Sequence, residues 1–343
     1  MARGQEASTV ATEFRTVQVA DRVHAFIAPA SYGGVVNGNV TVIIGDSAAV
    51  VVDAGYFPAL TRRMIAEIRR LSPRPVRYLI TTHWHPDHWV GTAEFRKAYP
   101  GLSVVASSST REELLRQGPA YVARTRDSSL FARIDALLAS GKNASGAAFD
   151  PQERAYYAAT VADGRAVMPG WRDARLDLPD LTVDTELTLH LGGRDVVVRH
   201  PGRGNTRGDL IVFVPDTRTL VAGDLLVAPT PYAYGAFMSD WHATLGALTA
   251  LDPVAIVPGH GAVMRDHVYL ALVRDVVGVL AHGADSAVAS GATLEQWRAT
   301  LDLDPWRQRF TNGDPRLEYL FNLGFTQPGT ARAFAESRVR LEK

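Results

Sequence analysis

Thr82-His83-Trp84-His85-Pro86-Asp87-His88 places three imidazoles and a carboxylate within a single turn of chain. An apolar β-type segment, Val76-Arg77-Tyr78-Leu79-Ile80-Thr81, runs into it, and a helical pattern, Trp89-Val90-Gly91-Thr92-Ala93-Glu94-Phe95, leads away. The cluster therefore ends a strand, where open α/β sheets gather their ligands. Imidazole and carboxylate together suit zinc and similar first-row metals. Burying all four without an ion would leave several polar groups unpaired. The stretch reads as a metal motif, not as core.

Working outward, β-branched runs at 39–44 and 48–53 flank Gly45-Asp46-Ser47 as a hairpin, and 23–28 reads as a strand. Between 28 and 39 lies a loop with Ser31-Tyr32-Gly33-Gly34. Pro58 opens a helix to about residue 71, with apolar Leu60, Met64, Ile65 and Ile68 on one face. After the motif, one helix is expected to reach Tyr99, ended by Pro100-Gly101, and 102–106 is a further strand. Ser109-Thr110-Arg111-Glu112 fits a capping box with Ser109 at the N-cap. It opens a helical stretch, about 109–175, interrupted near 140–145 and at Pro169-Gly170. This is expected to be an insertion lying over the core.

β-patterning returns at 181–183, then in two hairpins: 186–191 with 195–199 across Gly192-Gly193, and 210–214 with 219–222 across Pro215-Asp216-Thr217-Arg218. A helix at 241–251 and a short strand at 254–257 follow. Beyond 266 the chain is helical, with a second capping box at Thr293-Leu294-Glu295-Gln296. Both halves run from strands to helices, which suits two β-layers with helices outside. The expected organisation is a flexible terminus at 1–20, a body at 21–265 and a helical extension at 266–343 packed on it.

Bulk composition narrows the function classes. The 343 residues are 46% apolar and 21% charged, as in a soluble globular protein with a large core. Lys+Arg and Asp+Glu balance at 36 each, and no basic run stands out, so neither nucleic acid nor a membrane surface is an expected partner. No apolar stretch approaches the ~18 residues of a membrane span. The absence of cysteine removes disulfides, thiolate ligands and a Cys nucleophile. The first residues lack a signal-peptide core, so the expected compartment is the cytoplasm, or the periplasm if a signal has been trimmed.

A metal held by one loop needs ligands from elsewhere. Three later stretches each end a strand in a turn with one suitable side chain: His200-Pro201-Gly202-Arg203-Gly204-Asn205-Thr206, Val221-Ala222-Gly223-Asp224 and Val257-Pro258-Gly259-His260. In this order after His-x-His-x-Asp-His, the chain resembles the metallo-β-lactamase superfamily over roughly residues 23–265. The resemblance implies an α/β fold, an αββα sandwich with its site at the open edge between two sheets. It implies metal ligands at His83, His85, Asp87, His88, Asp224 as a bridging carboxylate, and His260, with Asp53 behind them. One position departs. The superfamily's Gly-His-Thr reads Gly204-Asn205-Thr206 here, so a ligand imidazole becomes a neutral amide, weaker for zinc. One or two Zn²⁺ are implied, with Mn²⁺ or Fe²⁺ as harder alternatives that an amide oxygen tolerates. His200, beside a Pro-Gly turn, is expected to stay outside the ligand set.

The mechanism implied by the resemblance is attack of a bridging hydroxide on a carbonyl, with Asp87 as ligand and as the group that orients or receives a proton. No Gly-x-Ser-x-Gly elbow offers a serine alternative. Pocket walls are expected from Trp84, Tyr32, Tyr232, Tyr234 and Phe237, which favours an apolar small-molecule substrate. Arg203 and Arg207 are the cations available for a substrate carboxylate. The leading expectation is hydrolysis of an amide, lactone, ester or thioester, β-lactams included. Competing expectations are an iron-dependent sulfur dioxygenase-like enzyme, which shares the motif, and a binding protein with an impaired metal site. The insertion and the terminal helices could cap the pocket or form a homodimer contact.

Overall fold

The computed structural model describes residues 13–29 and 31–341. Four layers stack as helix, sheet, sheet, helix. The first sheet has seven strands in sequence order: β1 (Arg15–Ala20), β2 (Val23–Ile27), β3 (Val40–Ile44), β4 (Ala49–Val52), β5 (Val76–Ile80), β6 (Ser103–Ala106) and β7 (Leu181–Thr182). The second has five, ordered β12 (Ala255–His260), β11 (Thr219–Val227), β10 (Ile211–Val214), β9 (Asp195–Arg199) and β8 (Glu186–His190). Neighbours in the first sheet are antiparallel from β1 to β4 and parallel from β4 to β7.

The strand sequences explain the layering. In β3 and β4 every residue is buried, because successive side chains serve opposite faces. Val40, Val42, Ala49 and Val51 join the outer core, under α1 (Pro58–Leu71), α3 (Thr92–Ala98), α5 (Ser129–Ser140) and α6 (Pro151–Trp171). Ile43, Val50 and Val52 join the layer between the sheets, with Val196, Val198, Val212 and Val221 opposite. The far face of the second sheet is covered by α7 (Met238–Ala250) and α8 (Val268–Ala289), and then by α9 (Leu294–Thr300), α10 (Asp304–Thr311), α11 (Pro315–Phe321), a π-helical turn at Asn322–Thr326 and α12 (Gln327–Leu341). Among the described residues no helix is long and apolar enough to cross a membrane.

Several local expectations are corrected. The stretch assigned to a flexible terminus contains β1, whose Val17 pairs with Ala25 of β2; residues 1–12 lie outside the described part. The helix after the motif is two, α2 (Pro86–Trp89) and α3, parted at Val90-Gly91, where the Gly91 amide leaves the helical ladder to donate to the Gly55 carbonyl at 3.0 Å. Helix α4 (Ser108–Arg124) is capped by Ser107, not Ser109: the Ser107 hydroxyl accepts from the Thr110 amide and donates to the Gly208 carbonyl. Pro169 does not end α6, which continues to Trp171. The Thr293 capping box forms as expected.

Candidate metal centre

Strand β5 carries the motif to the edge between the sheets. Asp53, at the end of β4, sits at φ +62°, a left-handed conformation that a non-glycine residue holds only under constraint. Its buried carboxylate accepts three donors: the Thr82 amide at 2.8 Å, the Thr82 hydroxyl at 2.9 Å and His88 Nδ1 at 2.8 Å. The last bond fixes a proton on Nδ1 of His88 and points Nε2 at the cluster. Thr82 extends the same logic. Its single proton goes to Asp53, so at 3.0 Å from His83 Nδ1 the Thr82 oxygen must accept. His83 thereby turns an unprotonated Nε2 inward, 2.9 Å from His85 Nδ1, and His88 turns its Nε2 toward the same cluster.

The motif splits into two halves around Asp224. Asp224 Oδ2 lies 3.5 Å from His83 Nε2 and 4.0 Å from His85 Nδ1. Its Oδ1 lies 3.2 Å from His88 Nε2 and 3.5 Å from His260 Nε2. Asp87 Oδ2 closes the second half, 3.0 Å from His260 and 3.5 Å from His88. Two donor groups are compact enough to hold an ion: His83, His88 and Asp224, and Asp87, His88 and His260. Asn205 is fully buried, and its Nδ2 donates to the Tyr232 carbonyl at 2.9 Å.

Two buried atoms of this constellation, His88 Nε2 and Asp224 Oδ1, and the buried Asn205 Oδ1 have no hydrogen-bond partner. Orphaned buried polar atoms are costly, and a cation held by the His83, His88 and Asp224 group would satisfy the first two. Electrostatics agree. Burial opposes ionisation of Asp224 and Asp87, yet His88 and His260 hold both carboxyls below the usual carboxylate range. Burial likewise disfavours charge on His88, but Asp224, Asp87 and Asp53 overcome it and raise His88 well above its ordinary value. Complete burial, helped by His88, instead lowers His83 to about 4. The carboxylates thus hold positive charge on His88, which a bound cation would replace, while His83 is already neutral, as a metal ligand must be.

The other expected site residues divide. Trp84 packs 4.7 Å from the His85 ring, and Tyr232 stands edge-on to His85 at 6.1 Å with Tyr234 5.1 Å beyond. Tyr32 lies further out, against Tyr156 and Tyr319. Phe237 is not brought to the cluster by any aromatic contact; it is sandwiched between the Arg203 and Arg332 guanidinium groups at 4.5 and 5.3 Å. Arg203 pairs with Asp240, and Arg207 with Glu112 and Glu113. His200 gives Nδ1 to the Asp209 carbonyl, in keeping with its place outside the set. Asp224 and His260 do not sit in turns after their strands but within β11 and at the end of β12, since the parallel β11–β12 pairing resumes past an irregularity at Gly223.

Sequence reasoning missed the supports. Asn39 ties the sheets together: Nδ2 donates to the Pro258 and Gly261 carbonyls, its amide to Gly259, and Oδ1 accepts from Ala28. Gly38 lies so close to Asp87 and His88 that a Cβ would sit 2.8 Å from each. The only signal was a small polar run, Asn37-Gly38-Asn39, just before a β-branched strand.

Comparison with known proteins fits this geometry. A profile described as the metallo-beta-lactamase superfamily matches residues 33–260, from the first loop to the last candidate ligand. The chain belongs to the metallo-beta-lactamase superfamily. Its fold follows that of the superfamily's solved structures. A metallo-beta-lactamase from Pontibacter korlensis superposes with a TM-score of 0.55 at 19% identity, covering 78% of this chain and 99% of that one. DIM-1 metallo-beta-lactamase superposes at 0.53 with 17% identity, over 78% and 97%. A curated linear primary-alkylsulfatase of Pseudomonas sp. (strain ATCC 19151) is 24% identical over 277 residues, 76% of this chain and 49% of its own length. The chain thus spans about half the length of that relative.

Proposed function

We propose that the chain is a metal-dependent hydrolase that opens an ester, thioester, lactone or amide carbonyl. The observation that carries this reading is Asp224, whose two oxygens face opposite halves of one donor cluster. His83, His85, Asn205 and Asp224 would hold one divalent ion, Zn²⁺ before Mn²⁺ or Fe²⁺, and Asp87, His88, His260 and Asp224 a second. Bound there, such ions would lower the pKa of water and polarise the scissile oxygen. Asp87 would orient the attacking water's proton toward its carboxylate, the role its ionised form suits. Asp53 and Thr82 would keep the imidazoles aimed. Tyr232 and Trp84, flanking His85, would limit water and line the entrance. β-Lactams rank behind the other carbonyl substrates, because Arg203 and Arg207 are both already paired.

A second reading, cleavage of a sulfate ester, draws on the alkylsulfatase relative. Elemental analysis of the purified chain, with turnover of a thioester, a lactone, a β-lactam and an alkyl sulfate, tests both. One or two zinc ions with carbonyl cleavage support the first. Alkyl sulfate turnover alone would shift the assignment to the second. One iron per chain with oxygen consumption would sink the hydrolase reading. Asn205→His probes the first half directly: an imidazole can take the ion on one nitrogen and keep the Tyr232 carbonyl with the other. Calorimetric titration is expected to show on the order of tenfold tighter binding of one ion, ~1.4 kcal/mol. A loss of affinity would place Asn205 away from the ion.

A further inference from the structure

The hydrolase reading leaves unexplained a row of tyrosines that begins at the cluster and leads away from it. Tyr232 stands on His85, and Tyr234 on Tyr232. These two are 37% and 51% exposed, unusual for large side chains beside a buried centre. Tyr156, on the inserted helix α6, meets Tyr32 at 6.0 Å and Tyr319 of α11 at 5.7 Å. Tyr156 interacts electrostatically with Tyr234 and Tyr232, and Gly324 of the π-helical turn lies against the Tyr232 ring, so three separated parts of the chain meet: the loop after β11, the insertion and the C-terminal helices.

Its electrical character changes along its length. At the inner end Tyr232 faces Asp87 and Asp224. At the outer end Arg316 lies over Tyr32, and Tyr319 feels Glu153. Between these ends the groups acting on Tyr156 and Tyr234 are themselves tyrosines: burial raises the Tyr156 phenol to about 12, with smaller upward pushes from Tyr234 and Tyr157, and Tyr157 acts on Tyr234. The wall is also rigidly mounted. The Ala233 amide, between the two exposed tyrosines, donates to the Gly324 carbonyl in the π-helical turn at 2.8 Å, and the Tyr32 hydroxyl donates to the Gln152 carbonyl at 2.8 Å.

An uncharged aromatic strip between a polar reaction centre and a charged rim matches a substrate with a polar reactive head and an apolar tail. Building on the hydrolase reading, we propose that Tyr232, Tyr234 and Tyr156 form the wall along which an acyl or alkyl chain of the substrate lies, and that this wall sets preference for chain length. Aromatic faces recover apolar area without a polar partner. Each methylene laid on them contributes up to ~0.8 kcal/mol, about fourfold in kcat/KM.

The test compares acetyl, hexanoyl and dodecanoyl esters of one alcohol, with matched alkyl sulfates in parallel. In the parent, kcat/KM is expected to climb with chain length. In Tyr234→Ala and Tyr156→Ala the ratio of dodecanoyl to acetyl kcat/KM is expected to fall by about fifteenfold, the worth of two methylenes. Tyr156→Phe, which keeps the ring, should retain the parent ratio. A flat length profile in the parent, or an undiminished ratio in both alanine variants, overturns the proposal while leaving the hydrolase reading in place. Should no substrate of any length be turned over, the hydrolase reading fails, and binding then tests the wall alone. Dodecanol is expected to perturb the intrinsic fluorescence of the chelator-treated protein, and Tyr234→Ala to weaken that binding; equal binding in parent and variant overturns the wall.

Discussion

Thr82 has one hydroxyl proton and two demands on it. Because Asp53 takes the proton, His83 is forced to donate from Nδ1, and its Nε2 faces the cluster. Thr82→Val keeps the shape and removes the relay. Metal affinity in the half built on His83 is expected to fall by ~10–100-fold, the usual effect of losing such an outer partner. Thr82→Ser should restore it, and calorimetric titration distinguishes the two; a valine variant that binds like the parent would show that the tautomer is fixed some other way. Asp209 presents a different residue-scale case. It is buried, with the Thr206 amide and hydroxyl on its oxygens, and burial raises its carboxyl from 3.8 to about 7, with Asp224 adding to the shift. A folded pKa above the unfolded one means the folded chain binds the proton more tightly. The stabilisation is complete below about pH 4 and is lost as pH climbs to about 7. Asp209→Asn cannot ionise. In chelator-treated protein the stability of the variant relative to the parent is therefore expected to rise across that window in denaturant melts. A difference independent of pH would mean that Asp209 ionises normally.

At the scale of elements, the strands were legible where both faces of a sheet are covered. Runs such as Val40-Thr41-Val42-Ile43-Ile44 are apolar throughout, and β3 and β4 appear where the pattern put them. The motif was legible because its four polar side chains have no bland use at a strand end. What escaped reading depends on partners distant in sequence. Ser107 caps α4 because Gly208 lies against it, and Asn39 is a cross-sheet tie only once Pro258 and Gly261 arrive. Asp224 looked like a turn residue because Gly223 precedes it. In fact Gly223, at φ +54°, bends β11 without ending it, so the strand delivers Asp224 sideways into the cluster. The partner strand must yield room for this. A Cβ on Gly259 would stand 1.9 Å from Asp224 Oδ1. Gly259→Ala is thus expected to displace the carboxylate that serves both halves. Metal content should drop sharply while the circular dichroism spectrum stays close to the parent's. A variant retaining its full metal complement would remove Asp224 from the bridging role.

For the whole molecule, the last quarter of the chain, expected from sequence as an extension packed on the body, forms the outer cover of the second sheet. Helix α8 buries Leu270, Leu272, Val273, Val276, Val277 and Leu280 against the outer face of the second sheet, α7 and the other terminal helices. Complete burial of six Leu or Val side chains is worth roughly 9–18 kcal/mol at 1.5–3 each. Even discounted for a compact unfolded state, that rivals the ~5–15 kcal/mol by which a typical domain is stable. The same helices carry Gly324, which holds the loop between Tyr232 and Tyr234, and Glu336, which accepts from the Met238 and Ser239 amides at the start of α7. Removing residues 266–343 would strip Leu225, Leu226, Leu245 and Leu248 of their cover and free the loop whose carbonyl orients Asn205. We therefore expect the truncated chain to be aggregated or molten, with lost near-ultraviolet dichroism and no cooperative melt. A truncated chain that melts cooperatively and still binds two metal ions would show instead that the terminal helices are an accessory layer and that the sandwich and its metal centre stand without them.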